Sequence, residues 1–219
     1  MTTAPRTLVV VAHPDPDSLT WTVAGRAAER LAELGGVEVA DLHGEGFDPV
    51  FSPDDHRHYR SWTGAATADV VAEQARIDRA AHLVLVFPVY WWSMPAMLKG
   101  WVDRVFVNGW AFDNDPDTGI SPRLGDLTIH LVAVAGADDG LYQRHGYEKS
   151  MRNQLEHGVI EYCGAVPGST VFLHDSENRD PAVREAALDR AVAELVTSVT
   201  TPTRNRLGRI TPSDPAAAG

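Results

Sequence analysis

Apolar runs and helical periodicities alternate along this chain from Thr7 to Val199. Thr7–Ala12 (TLVVVA) is nearly all apolar, as a strand covered on both faces should be. Leu19, Val23, Ala27, Leu31 and Leu34 then recur at helical spacing over 18–34, until Gly35-Gly36 breaks the pattern. Val37–Leu42 predicts a second strand, 43–63 an excursion without periodicity, 67–80 a helix, and His82–Phe87 (HLVLVF) a third strand. Met94, Met97, Leu98, Trp101, Val102, Val105 and Phe106 form the clearest apolar stripe and predict a helix over 94–106. The turn-rich segment 113–125 reads as a connection and Thr128–Ala135 as a fourth strand. A helix over 148–163 ended by Gly164, a fifth strand Ser169–Leu173 and a closing helix Pro181–Val199 complete the series.

Five strands separated by helices predict an α/β domain over 1–199: a doubly wound, flavodoxin-like parallel sheet of order 2-1-3-4-5 with helices on both faces. Residues 200–219 hold three prolines and end Ala-Ala-Ala-Gly, and are expected to form a mobile arm. A chain of 219 residues has room for one such domain.

Composition narrows the partners. Nineteen Lys and Arg against thirty Asp and Glu leave a net charge of −11, which opposes nucleic acid and anionic membrane surfaces alike. Cys163 is the single cysteine, so an internal disulfide and a Cys-based zinc site are both excluded. It falls in a helical pattern and reads as a buried small apolar residue. Leu8–Ala12 is too short for a signal-peptide core, and no run reaches the ~18 apolar residues of a membrane span. A cytoplasmic protein without membrane insertion is expected.

In a doubly wound sheet, ligands bind beyond the carboxyl ends of the strands, so the chemistry should follow strands one, three and four. After strand one, HPDPDSLTWT (13–22) places Ser18 or Thr20 at a helix start, where free N–H groups and the helix dipole suit a phosphate; His13 could add a donor. The plain alternative is that Ser18 caps its helix and His13 merely ends a strand. A rival reading comes from AHPD, which resembles the AHPDDE motif of zinc-dependent deacetylases. Pro16 stands where the ligand Asp should be, and the other His-bearing segment (His56, His58) lacks an acidic companion. After strand three, Tyr90, Trp91 and Trp92 are consecutive aromatics in a loop and cannot all point inward; a planar ligand or a partner subunit would cover them. After strand four, Gly136 and Gly140 permit close backbone approach, and Tyr142 and His145 supply titratable donors.

Together these segments resemble the NAD(P)H:quinone oxidoreductases, flavoproteins of flavodoxin-like fold that include potassium-efflux ancillary reductases. The likeness runs through most of 7–198. It is strongest at 67–106, whose end reads P-x-x-W-x-x-x-P-A-x-L-K-G-W-x-D-R-V-F, a specific pattern. AHPDPDSLT and GADDGLY fall in the right order around it. The resemblance implies that His13, Ser18, Leu19 and Thr20 hold the flavin phosphate or pyrophosphate. It places Pro88, Val89, Tyr90, Trp91 and Trp92 around the flavin ring, with Gly136 and Ala137 at its pyrimidine end. Tyr142 matches the tyrosine whose hydroxyl faces the flavin, and is a catalytic candidate with His145. Trp110 and Phe112, with Trp91, match the aromatic wall over the substrate, closed by a neighbouring subunit in a homodimer. The implied reaction is two-electron hydride transfer from NADPH or NADH, through the flavin, to a quinone or similar planar acceptor, without a metal.

Two departures stand out. Animal relatives carry a histidine six residues after the tyrosine, where this chain has Glu148; His145 is the nearest substitute. Asp17 brings a negative charge beside the expected phosphate. FAD is preferred over FMN because His56, His58 and Tyr59 in the excursion could meet an adenine. The alternatives are a flavin-binding, redox-sensing regulatory subunit of a transporter, and an azo-, nitro- or pathway-specific reductase.

Overall fold

The computed structural model of the protein describes residues 6–61, 66–115, 117 and 119–201. Its strands are β1 (Thr7–Val11), β2 (Val37–Asp41), β3 (His82–Pro88), β4 (Phe112–Asp115), β5 (Gly119–Pro122), β6 (Thr128–Val134) and β7 (Val166–Leu173). Its α-helices are α1 (Leu19–Ala32), α2 (Pro53–Ser61), α3 (Ala68–Ile77), α4 (Ala96–Val105), α5 (Asp139–His145), α6 (Tyr147–Arg152) and α7 (Pro181–Thr200), with a π-helical segment at Asn153–Glu161. Five strands form a parallel sheet in the order β2-β1-β3-β6-β7. Counting only these five, the order is the expected 2-1-3-4-5.

The alternation of side chains along a strand divides the core in two. Val9, Val11, Val84, Val86, Val132 and Val134 lie under Val23, Ala27 and Leu31 of α1 and Leu188, Val192 and Leu195 of α7. Leu8, Val10, Leu83, Leu85, Phe87, Ile129 and Leu131 face the other way, against Ile77 of α3 and Leu98, Trp101 and Val105 of α4. That double cover is why β1, β3 and β6 read as unbroken apolar runs; every residue of the three is buried.

Four segments differ from expectation. The 43–63 excursion contains a helix, α2, whose polar sequence has no apolar stripe to announce it. Its anchor comes from α4. The buried Arg104 guanidinium donates to Asp55 at 2.9 Å, to Asp69 and the Asp48 carbonyl at 2.7 Å, and to Thr67 at 3.1 Å. One turn earlier, a Cβ at Gly100 would overlap the Pro49 carbonyl, so glycine is what lets the excursion lie on α4. The connection 113–125 carries an antiparallel hairpin, β4 with β5. The helix expected over 148–163 is α6 continuing into the π-helical segment. The fifth strand starts at Val166, three residues before the expected Ser169. The arm expected at 200–219 lies outside the described residues from 202 on. Cys163 is buried, and burial pushes its thiol up to about 12.

At the amino end of the sheet, His82 and His130 are buried side by side, with His82 Nδ1 3.2 Å from His130 Nε2. The Ser169 N–H donates to His130 Nδ1 at 3.1 Å, so His130 carries its proton on Nε2 and donates it to His82. Burial lowers His82 to about 4 and, with the neighbouring His82, His130 to about 3. Histidines in the unfolded chain hold protons below about pH 6.5 while this pair stays neutral, so stability falls as the pH drops from about 6.5 towards 4. Ring-proton NMR should show neither histidine titrating above about pH 5, with the denaturation midpoint lower at pH 5 than at pH 7. Titration of either ring near neutral pH would contradict this.

Candidate functional site

The strands end at a cavity of about 460 Å³. His13, Ser18, Leu19 and Thr20 reach it after β1, Pro88, Val89 and Tyr90 at the end of β3, Val134 and Gly136 at the end of β6, and Ser176 and Glu177 after β7. The site therefore sits where β1 and β3 send their connections to opposite faces. A larger hollow of about 660 Å³ runs along α5, α6 and the π-helical segment. It has no residue from a strand end, and we place the site at the smaller cavity.

Ser18 is the N-cap of α1, its Oγ accepting from the Trp21 N–H at 3.3 Å. Capping and ligand binding are compatible, since the first-turn N–H groups of Leu19 and Thr20 have no intrahelical acceptor. No acidic residue lies in that first turn. Asp17 is exposed and is not among the cavity's lining residues, and its N–H donates to Asp15 Oδ1 at 3.0 Å. The His13 carbonyl accepts from Trp21 Nε1–H at 3.2 Å, which ties the segment 13–21 into one loop.

The aromatic loop after β3 divides. Tyr90 lines the cavity, while Trp91 and Trp92 form a two-residue turn closed by paired backbone hydrogen bonds between Tyr90 and Ser93, both 3.1 Å. Both tryptophans adopt the left-handed backbone, with φ of 50° and 55°. Trp91 is 88 % exposed; Trp92 stacks on Tyr147 at 4.3 Å. Neither lines the cavity.

After β6, Gly136 lines the cavity and Ala137 lies beside it, its carbonyl accepting from Asp175 N–H at 3.1 Å. The expected loop 135–147 contains α5, capped by Asp138 accepting from Leu141 N–H and ended by Gly146 at φ 67°. Both signals were visible in the sequence. Tyr142 on α5 is buried, and its accessible edge belongs to the larger hollow. Burial, and then the charge of Glu148, raise its phenol above the ordinary range. His145 stacks on Tyr147 at 5.3 Å; the imidazole against Tyr142 is that of His174, at 4.6 Å. Ser176, Glu177 and His174 carried no sequence motif, because a strand exit is placed at the cavity only by the sheet.

Trp110 and Phe112 lie elsewhere. Trp110 donates from Nε1 to Asp78 at 3.0 Å, and Phe112 lines a separate pocket of about 340 Å³ with Phe51, His56, Tyr59 and Phe106. His56 and Tyr59 are thus taken to that pocket by α2, and no residue of the excursion lines the cavity at the strand ends. The reason for preferring FAD over FMN is removed. Among the described residues, the His, Cys, Asp and Glu groups close enough to share one cation are Asp139, Glu148 and His174. None of these three residues belongs to AHPD.

Comparison with known proteins agrees with this geometry. The profile of a family described as having a flavodoxin-like fold matches residues 5–199. The chain is 32% identical over 178 residues to a ribosyldihydronicotinamide dehydrogenase [quinone] of Mus musculus, covering 73% of this chain and 77% of the relative. It is 33% identical over 169 residues to an uncharacterized NAD(P)H oxidoreductase of Escherichia coli, covering 77% and 83%. The solved structure of an NAD(P)H:quinone oxidoreductase from Methanothermobacter marburgensis superposes with a TM-score of 0.80 at 27% identity, over 87% of this chain and 97% of that one. The chain belongs to the flavodoxin-like fold family, among its NAD(P)H:quinone oxidoreductases.

The left-handed tryptophans yield a stability test. A non-glycine residue in this conformation costs about 1–2 kcal/mol, and Trp91 buries little to offset it. Trp91→Gly in the cofactor-free protein should leave the unfolding free energy read from chemical denaturation at or above that of wild type, by up to about 1 kcal/mol. A clear fall would mean that Trp91 contributes packing its exposure denies.

Proposed function

We propose that the protein is a cytoplasmic, flavin-dependent NAD(P)H:quinone oxidoreductase working as a homodimer. The observation that carries the reading is the meeting of four strand exits at one cavity, lined by the N-terminus of α1 and by Gly136. The residues fit a flavin: the first-turn N–H groups of α1 with Ser18 and Thr20 suit a phosphate, and no acid stands in that turn. Pro88, Val89, Tyr90 and Gly136 line the cavity, and Gly136 brings no side chain into it. When bound, a flavin supplies the redox chemistry, taking hydride from NADH or NADPH and passing it to a quinone or similar planar acceptor.

The chain's own part is binding, orientation and electrostatics. Tyr142 lines the larger hollow and not the cavity, and burial and Glu148 keep it protonated. Because α5 starts two residues after Ala137, it is assigned in this reading as the hydrogen-bond donor for developing negative charge. Trp91 and Trp92 stand at the rim. None of the described helices is long and apolar enough to cross a membrane. Support for the dimer comes from the pocket around Phe112, rimmed by the exposed apolar side chains of Phe51 and Tyr59. Val50, 66 % exposed, adjoins it. Such apolar and aromatic surface is typical of an interface core. Trp110 and Phe112 would then close over the partner's cavity.

Three measurements check this reading. Protein purified in native form should release a yellow cofactor whose mass is that of FMN or FAD; a colourless protein that takes up neither overturns it. Ser18→Asp, which keeps a good N-cap, should weaken flavin binding roughly tenfold or more because the added charge opposes the phosphate; unchanged affinity would place the phosphate elsewhere. Sedimentation at micromolar concentration should give twice the chain mass, and a one-chain species with full quinone reductase activity would refute the shared site. Negligible NAD(P)H turnover with flavin bound would favour the redox-sensing subunit instead.

A further inference from the structure

Two of the rings around Tyr142, Phe172 and His174, come from β7 and its exit and not from its own segment. The His174 ring meets it edge-on at 4.6 Å, and Phe172 and Tyr147 close the wall at 6.0 and 5.9 Å. His174 follows directly on β7, and its side chain is 16 % exposed. Its Nε2 lies 2.9 Å from Glu148 on α6 and 3.9 Å from Asp139 on α5. An ionised carboxylate only accepts, so Nε2 carries the proton of this bond. Nδ1 is buried without a hydrogen-bond partner. One acceptor on one nitrogen selects both a ring orientation and a tautomer, as carboxylates do for histidines in metal sites and catalytic triads.

The location gives this bond a consequence. His174 opens the segment whose Ser176 and Glu177 line the cavity. Asp175 follows with φ of 56°, and its N–H donates to Ala137 at 3.1 Å, so the segment is fastened to the β6 exit immediately after His174. Glu148 stands six residues after Tyr142, on the next helix. It receives the imidazole from the β7 exit as its hydrogen-bond partner.

We infer that His174, oriented by Glu148, is the positioning residue of Tyr142, fixing the tyrosine ring and the β7 exit against the cofactor cavity. The inference rests on the oxidoreductase reading. Phe172, stacked on His174 at 5.8 Å with 9° between the rings, gives the imidazole its second support. His145 takes no part, since its ring lies on Tyr147.

Three variants separate positioning from filling of space. Glu148→Gln keeps an acceptor and removes the charge; Glu148→Ala removes both; His174→Phe keeps a ring on Phe172 and loses the bond. The first readout needs no cofactor. At alkaline pH, the ring ¹⁵N spectrum should show His174 as the Nε2–H tautomer in wild type and Glu148→Gln, and as a tautomer mixture in Glu148→Ala. The same tautomer in all three proteins would overturn the role of Glu148. The second is single-turnover reduction of bound flavin by NAD(P)H. His174→Phe and Glu148→Ala should slow it roughly ten- to a hundredfold, with Glu148→Gln recovering most of the loss. Because His174 acts through Tyr142, the double variant Tyr142→Phe with His174→Phe should be no slower than the slower single variant. Losses that multiply, or a wild-type rate in His174→Phe, would overturn the inference. Failure of the wild-type protein itself to be reduced would instead sink the oxidoreductase reading, and the tautomer result would still decide whether Glu148 orients His174.

Discussion

The pairing of β1 with β3, in a sheet dry on both faces, is the constraint from which the site follows. Strands covered on both sides cannot leave backbone groups unpaired, so β1 is bonded to β2 on one edge and to β3 on the other over its whole length. Its exit towards α1 then leads to one face, while the exit of β3 towards α4 leads to the other. The divergence opens a crevice at the carboxyl edge, and the first turn of α1 faces into it. No side chain of the cavity has to be placed independently of the sheet. The register delivers Ser18, Pro88 and Gly136 together.

A second centre, on α4, governs what lies outside the sheet. Arg104 is almost fully buried, and stripping a guanidinium of water is costly unless it is paired. Here Asp55, itself buried, and Asp69 match the charge, with a carbonyl and a hydroxyl taking further donors. These partners come from three separate stretches of the chain, so one side chain gathers the excursion, α2 and the start of α3 onto α4. The Trp101 Nε1–H donating to buried Glu73 at 2.8 Å adds a further tie between α4 and α3. The outcome at the site is indirect but decisive: α2 is held beside Phe106 and Phe112 instead of over the strand ends, which separates the two pockets.

At the site itself, conformational strain and burial are spent on different residues. The two left-handed tryptophans are held by the backbone bridge between Tyr90 and Ser93, by the Ser93 hydroxyl donating to Gln154 at 2.9 Å, and by the stack on Tyr147. Such strain persists where surrounding contacts over-determine the turn. Tyr142, in contrast, sits in an ordinary short helix with its ring enclosed by aromatic neighbours from β7 and α6. One element presents rings outward; the other withdraws a hydroxyl from water.

The sequence by itself determined the five strands of the sheet, their order and the loops in which the site would fall. Short apolar runs bounded by turn residues fit strands covered on both faces, and alternation with helices leaves few topologies open. It also offered Ser18 or Thr20 as the start of a helix and Gly136 as a place of close backbone approach, because both are local properties of one residue type; the structure chose Ser18 as the cap. What it could not contain were contacts between residues far apart along the chain. The excursion's helix has no apolar stripe, since an ion pair to Arg104 holds it. The consecutive aromatics Tyr90, Trp91 and Trp92 looked alike until a two-residue turn sent one into the cavity and two to the rim. The place of Trp110 and Phe112, and the loss of His56 and Tyr59 from the cavity, were settled by where α4 holds the excursion. The imidazole beside Tyr142 came from His174, thirty-two residues further on (174 − 142), because β6 and β7 are neighbours in the sheet and their exits meet. Only the tertiary structure decides such a meeting, since the distance that matters to an imidazole and a phenol is measured across the sheet and not along the chain.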